Sequence, residues 1–206
     1  MNNLIKNPLV LEGQTVTLIS LEKEHFPELE SLSKDQKIWE FYPFDGTNSE
    51  KFTNAFELAL LEMKSGTQFP FVIFHKKDNK IIGSTRYLDI QPKHKKLEIG
   101  WTWLQPDYWA TDVNLECKLL LLSHCFEVLQ LSRVQLKTDE NNQRSRKAIQ
   151  KIGGEFEGIL RNDMVRDNGT KRNSAYYSII EEEWPNKKAI LISLLNERRI
   201  LCNIDQ

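Results

Sequence analysis

Trp109-Ala-Thr-Asp-Val-Asn-Leu-Glu-Cys-Lys-Leu119, then Arg133-Val-Gln-Leu-Lys-Thr138 and Asp139-Glu-Asn-Asn-Gln-Arg-Ser-Arg-Lys-Ala-Ile149, closing on Gly153-Gly154, decide the fold. They read as loop, buried helix, strand and a short basic helix ended by glycine. Leu115, Leu119, Leu122, Cys125, Phe126 and Leu129 fall on one helical stripe, and Leu120 and Leu121 widen it. The spacing predicts a helix over 115–129, buried on most sides, with Asn114 as its N-cap. Arg133 to Thr138 reads as a strand with Val134 and Leu136 inward. Residues 142–152 form the second helix, whose inward stripe is Ser145, Ala148, Ile149 and Ile152.

Upstream, Leu97 to Leu104 is the clearest strand. Leu97, Ile99, Trp101 and Trp103 alternate onto one face, and Glu98, Gly100 and Thr102 take the other. Residues 15–20, 71–75 and 81–90 read as further strands, and 22–33 and 49–64 as helices. Downstream, 156–165 and 173–180 form a strand pair around Asn168-Gly169. From Trp184-Pro185 the chain becomes an amphipathic helix lined by Ile190, Leu191, Leu194 and Leu195. The order β-αα-βββ-α-β-α-ββ-α argues for an α/β or α+β domain with a mixed sheet.

The 206 residues suffice for one sizeable core. A net charge of −1 gives no nucleic-acid footprint, and no apolar run reaches membrane-spanning length. The N-terminal residues lack a secretory pattern, so the expected location is the cytoplasm. Cys117, Cys125 and Cys202 are an odd set without metal spacing, the first two set in an apolar helix where core packing is their expected role. The four histidines form no helix-face pair, so no metal site is expected.

Three features could carry chemistry. Arg144, Arg146 and Lys147 crowd a helix start, where basic residues are unfavourable by a few tenths to about 1 kcal/mol each. Either a bound phosphate resolves this conflict, or the side chains point into water or pair with Asp139 and Glu140. The loop 107–114 precedes another helix start whose amides could cradle phosphate, though Asp112 and Glu116 bring negative charge there; for Glu116, helping the helix start is the favoured reading. Glu98 faces away from its strand's apolar row, beside Gly100. It is either a surface glutamate or a general base facing a cleft. The cluster Lys93-His94-Lys95-Lys96 reads as a solvated turn.

These residues resemble the GNAT superfamily of acyl-CoA-dependent N-acetyltransferases, closest to the branch that includes the ribosomal-protein N-terminal acetyltransferases. The resemblance spans roughly residues 10–183. It is carried by Leu97-Glu-Ile-Gly-Trp-Thr-Trp-Leu104, Asn114-Leu-Glu-Cys-Lys-Leu119, Arg133-Val-Gln-Leu-Lys-Thr-Asp139, Asn142-Gln-Arg-Ser-Arg146, Glu157-Gly-Ile-Leu-Arg161 and Tyr177-Ser-Ile179. It implies a mixed, mostly antiparallel sheet of about seven strands flanked by helices, with 97–104 and 133–138 splayed to hold acetyl-CoA. Trp103 and Leu104 would meet the pantetheine. Trp109, Ala110, Thr111, Asp112, Val113 and Asn114 would meet the diphosphate, joined by Arg146. Asn142 and Ser145 would contact the pantetheine and the leaving thiol, and Glu98 would act as base through water. The family's Gly-x-Gly is Ala110-Thr-Asp112 here, and the expectation is that the Asp112 side chain turns away.

The implied reaction is attack of an amine on a thioester in a ternary complex, giving coenzyme A. The acceptor is a protein N-terminus or a small-molecule amine, in a pocket shaped by the loop 38–48 and the 161–172 hairpin and assigned to Trp39, Phe41, Tyr42 and Arg86; the aromatics of 38–48 either wall it or form a satellite core. Asp112 leaves a second class open, a non-catalytic acyl-CoA or protein-binding module. The expected division is an acetyltransferase domain over 1–183 and a helical extension over 184–206. The extension packs on the domain or on a partner, in a monomer or homodimer.

Overall fold

The computed structural model describes residues 4–204, with side chains as far as residue 200; residues 1–3 and 205–206 and the side chain of Cys202 lie outside that range. The elements follow as β1 (Val10–Glu12), β2 (Val16–Ser20), α1 (Phe26–Leu32), α2 (Ser49–Ser65), β3 (Phe69–His75), β4 (Lys80–Gln91) and β5 (Lys96–Leu104). After these come α3 (Val113–Ser123), β6 (Arg133–Asp139), α4 (Gln143–Lys151), β7 (Glu155–Val165), β8 (Lys171–Ile180) and α5 (Trp184–Ile204). The strands form one sheet in the order β1-β2-β3-β4-β5-β6-β8-β7. Among the described residues only β5 and β6 run parallel. The eighth strand, beyond the seven expected, is β1. Its three residues are too short for alternation to register in the sequence.

Each face of the sheet has its own core. Leu21, Leu29, Phe52, Phe56 and Val72 pack beneath α1 and α2. Leu18, Ile73, Leu97, Leu121, Val134 and Leu191 pack on the other side, beneath α3 and α5. α5 lies along α3, burying Leu191 and Leu195. Full burial of such leucines is worth about 1.5–3 kcal/mol each. The expected helix over 115–129 keeps α-geometry to Ser123 and then passes through one π turn, His124–Val128. The Tyr87 hydroxyl donates to the Leu121 carbonyl at 2.9 Å, which also accepts from the His124 N–H where the pitch changes.

The alternation read in 97–104 breaks at Trp101. That residue is left-handed (φ 50°), and the β4 register slips between Ser84–Trp103 and Arg86–Gly100. One extra residue reverses every side chain after it. Trp103 therefore joins the core under α1 and α2, while Leu97, Ile99 and Leu104 face the α3 side.

Candidate functional site

β5 and β6 pair only from Lys96–Arg133 to Glu98–Gln135 and then part. Beyond that fork β5 keeps its β4 neighbour but offers β6 an unpaired edge. A cavity of about 450 Å³ fills the gap, a size suited to a small-molecule ligand. Glu98 stands at the fork, 5 % exposed. Its carboxylate accepts from Gln135 Nε2 at 2.8 Å and lies 3.7 Å from Lys137 Nζ. Burial raises the Glu98 pKa above the ordinary range, against the pull of Lys137 and Gln135. A Cβ on Gly100 would come within 3.0 Å of the Glu98 carboxylate, so glycine keeps room beside it.

α3 meets the cavity with an open start. Asp112, not Asn114, occupies the N-cap position, and it makes no side-chain cap bond. Its carboxylate turns away, accepting from Thr15 Oγ1 at 2.9 Å and lying 3.7 Å from Arg199 Nε. The Val113 N–H leans on Thr111 Oγ1 at 3.3 Å. Such a start suits an anion, with first-turn amides and the positive dipole end together. The preceding loop is fixed from outside. Ala110 is left-handed (φ 60°), and Arg198 Nη1 of α5 donates to the carbonyls of Ala110 at 2.6 Å and Thr111 at 2.5 Å. Glu116 stands in the first turn of α3, as the sequence reading has it, and also ties the helix to a distant turn. Its carboxylate reaches back to the turn before β2, accepting from the amides of Gln14, Thr15 and Val16 at 2.7–2.8 Å.

The start of α4 is closed. The Asn142 side-chain oxygen accepts from the Ser145 N–H at 2.9 Å. Arg146 is tied inward, its Nε to the Tyr177 hydroxyl at 2.9 Å and its Nη1 to the Glu140 carbonyl at 3.2 Å. The Arg144 guanidinium lies 3.7 Å from the centroid of the Trp109 ring. The basic crowding is thus met by a ring face, a hydroxyl and a carbonyl. The stripe Ser145, Ala148, Ile149 and Ile152 lines the cavity.

The structure gathers Phe41, Tyr42, Glu98, Trp103, Leu104, Trp109, Ala110, Asn114, Asn142 and Ser145 around this cavity. Thr111, Asp112 and Val113 stand behind its rim, and Arg146 lies outside the lining. Trp39 and Arg86 also lie outside it. Trp39 packs 5.5 Å from Trp103, centroid to centroid, in the α1–α2 core. Arg86 is buried under Trp101, 4.4 Å from its ring centroid, and burial brings it down to about 10. The segment 38–48 therefore both walls the cavity and builds a satellite core. Cys117 and Cys125 pack as expected, both fully buried, and burial pushes the Cys117 thiol up to about 12.

Two buried basic groups of the lining were missed by sequence reasoning. Lys118 is 6 % exposed and donates to Thr102 Oγ1 at 2.7 Å; burial pulls its ammonium down to about 8. A signal existed, because Lys118 lies three residues after Leu115 and four before Leu122, on an apolar stripe. Arg172 is 8 % exposed, and no local pattern marks it within its strand.

With this geometry in place, the acetyltransferase (GNAT) domain family matches residues 15–155. The chain is 25 % identical to the uncharacterized N-acetyltransferase YoaA of Bacillus subtilis (strain 168), over 84 % of this chain and 97 % of that one. It superposes on a GCN5-related N-acetyltransferase from Brucella melitensis with a TM-score of 0.84 and 26 % identity, covering 92 % of this chain and 86 % of that one. The fold is also that of RimL, a ribosomal L7/L12 alpha-N-protein acetyltransferase in complex with coenzyme A. The TM-score there is 0.73 at 19 % identity, over 84 % of this chain and 98 % of that one. The opening between the two parallel strands, with the start of α3 beside it, lies within the matched residues: the chain belongs to the GNAT family of N-acetyltransferases.

Proposed function

We propose that the cavity transfers an acetyl group from acetyl-CoA to a primary amine, a protein N-terminus or a small-molecule amine, by direct attack in a ternary complex. The carrying observation is the parting of β5 from β6 beyond Glu98–Gln135, with the cavity in the gap. The residues fit the cofactor. The parted β5 edge at Trp103 and Leu104 can pair with an amide-bearing arm, which would share the Leu104 carbonyl with Trp109 Nε1, its present donor at 2.9 Å. The α3 start, with the loop from Trp109 to Asn114, can hold a diphosphate. Asn142 keeps its amide NH2 group for the same arm after capping α4 with its oxygen. Arg146 serves α4 itself rather than the ligand. When bound, acetyl-CoA supplies an activated acyl carbonyl.

The chain's own residues then have defined tasks. Glu98 takes the proton of the incoming amine through a water, a task its raised pKa suits because an α-amine titrates at roughly 7.7–8.0. A backbone N–H on the parted edge of β5 steadies the developing oxyanion. The Ser145 hydroxyl donates toward the departing thiolate. Asp112, turned to Thr15 and Arg199, adds no obstacle to phosphate. In the same reading residues 1–183 are the acetyltransferase domain and 184–206 a helical extension, with α5 packed on α3.

The experiment is calorimetry with acetyl-CoA, followed by thiol release over an amine panel. Binding with release for at least one amine is the expected result. Absence of binding would refute the reading.

A further inference from the structure

The cavity has two electrical ends. The register Glu98–Gln135, Lys137–Tyr176 and Asp139–Ser174 sets these side chains in one row on the α1–α2 face of the sheet, with Arg172 two residues beyond Ser174 on the same strand. At one end Glu98 and Asp89 both line the cavity. At the other end Arg172 lines it, with its side chain 9 % exposed. Lys137, between them, is already engaged by Glu98 and by the Tyr176 ring face.

Arg172 is poorly served by its own protein. Its Nε has no hydrogen-bond partner, and its Nη1 reaches only the Phe41 carbonyl, at 3.4 Å. The nearby carboxylate, Asp139, is taken by a tighter pair with Arg166 and lies 3.8 Å from Arg172 Nε. Burial lowers the Arg172 pKa, helped by Arg166 and against the pull of Asp139, Asp163 and Glu98. The hydroxyl of Ser174, the neighbour in the row, is also buried without a partner. A buried guanidinium left with unmade bonds carries a penalty that a bidentate anion would remove.

Resting on the acetyl-transfer reading, we infer that the acceptor amine also carries a carboxylate, held by Arg172 while the amine sits at Glu98. An acceptor of this class matches both ends of the cavity. A plain alkylamine matches only one. Arg172 thereby selects the substrate and takes no part in the proton transfer.

The test uses the full chain and ω-amino carboxylates of graded length, each beside its uncharged amide. Binding is read from quenching of the cavity tryptophans Trp101, Trp103 and Trp109, and turnover from thiol release with acetyl-CoA. At the best length the carboxylate should bind about tenfold more tightly than the amide, the scale of one charge-assisted hydrogen bond. R172Q should bring that ratio to about one, and R172K should restore part of it. Equal binding of carboxylate and amide by the unaltered chain overturns the inference, whether or not the variants fold. So does R172Q weakening both ligands alike. A carboxylate preference without thiol release from any amine would uphold the Arg172 assignment and sink the acetyl-transfer reading alone.

Discussion

The two walls of the cavity are built to opposite rules. The β6–α4 wall satisfies itself: Asn142 caps α4, Arg146 behind the lining finds a hydroxyl and a carbonyl, and Ala148, Ile149 and Ile152 are apolar. The β5–α3 wall leaves its polar groups short. Glu98 is buried with a raised pKa, Lys118 is buried against one neutral hydroxyl, and the first amides of α3 receive no cap from Asp112. Trp101, in the same wall, holds a left-handed conformation that costs a bulky residue about 1–3 kcal/mol. Proton transfer and anion binding belong where the fold has left bonds unmade, while the satisfied wall presents the Ser145 hydroxyl and the Asn142 amide from a rigid backing.

The largest expected effect tests Glu98. E98Q should lower kcat by roughly 10²–10⁴ while leaving KM for acetyl-CoA nearly unchanged. The same change should raise Tm. The folded state binds the Glu98 proton more tightly than the unfolded chain does, so this group's contribution to stability falls as pH rises from 4.5 through the raised value. At neutral pH the ionised carboxylate opposes folding, and glutamine removes that opposition. In the unaltered enzyme kcat should climb with pH through the raised Glu98 pKa, and this limb should vanish in E98Q. A variant that is slower but no more stable would break the contrast between the walls.

Next is Lys118. Its pKa falls from 10.5 to about 8 in the folded chain, so the buried charge opposes folding by on the order of 3 kcal/mol below pH 8. K118M should recover much of that in denaturant titrations. The unfolded chain binds more protons between about 8 and 10.5, so the stability of the unaltered protein rises with pH across that window. The advantage of K118M should shrink there.

Smaller effects separate the two helix starts. R198A frees the carbonyls of Ala110 and Thr111, and it should weaken acetyl-CoA binding about tenfold with kcat at saturation retained. An acetyl-pantetheine donor, lacking the diphosphate, should bind both proteins alike. N142A acts on the self-capped helix and should cost about 1 kcal/mol of stability, read as a shift in the denaturation midpoint.

Much of the frame was legible because it rests on local periodicity. The stripe Ser145, Ala148, Ile149 and Ile152 could be placed facing inward from spacing alone, and the turn at Asn168-Gly169 from its residue types. What escaped was set by partners distant in the chain. The bulge at Trp101 reverses the later half of its strand, and nothing in Trp-Thr-Trp announces it. Asn114 is a better N-cap residue by type than by place, because Thr15 and Arg199 claim the Asp112 carboxylate and the helix begins one residue before Asn114. Glu116 spends its charge on three amides of the turn before β2, some hundred positions away in the chain. Arg172 acquires its setting only when β8 is laid beside β6.

The grip of Arg198 on the loop before α3 has a thermodynamic corollary. If docking of the last helix improves the hold on a ligand at that loop, the ligand must improve the docking of the helix by the same factor. The tail would then report occupancy at the molecular surface. Amide exchange along residues 184–200 should slow when acetyl-CoA saturates the protein, and that slowing should disappear in R198A.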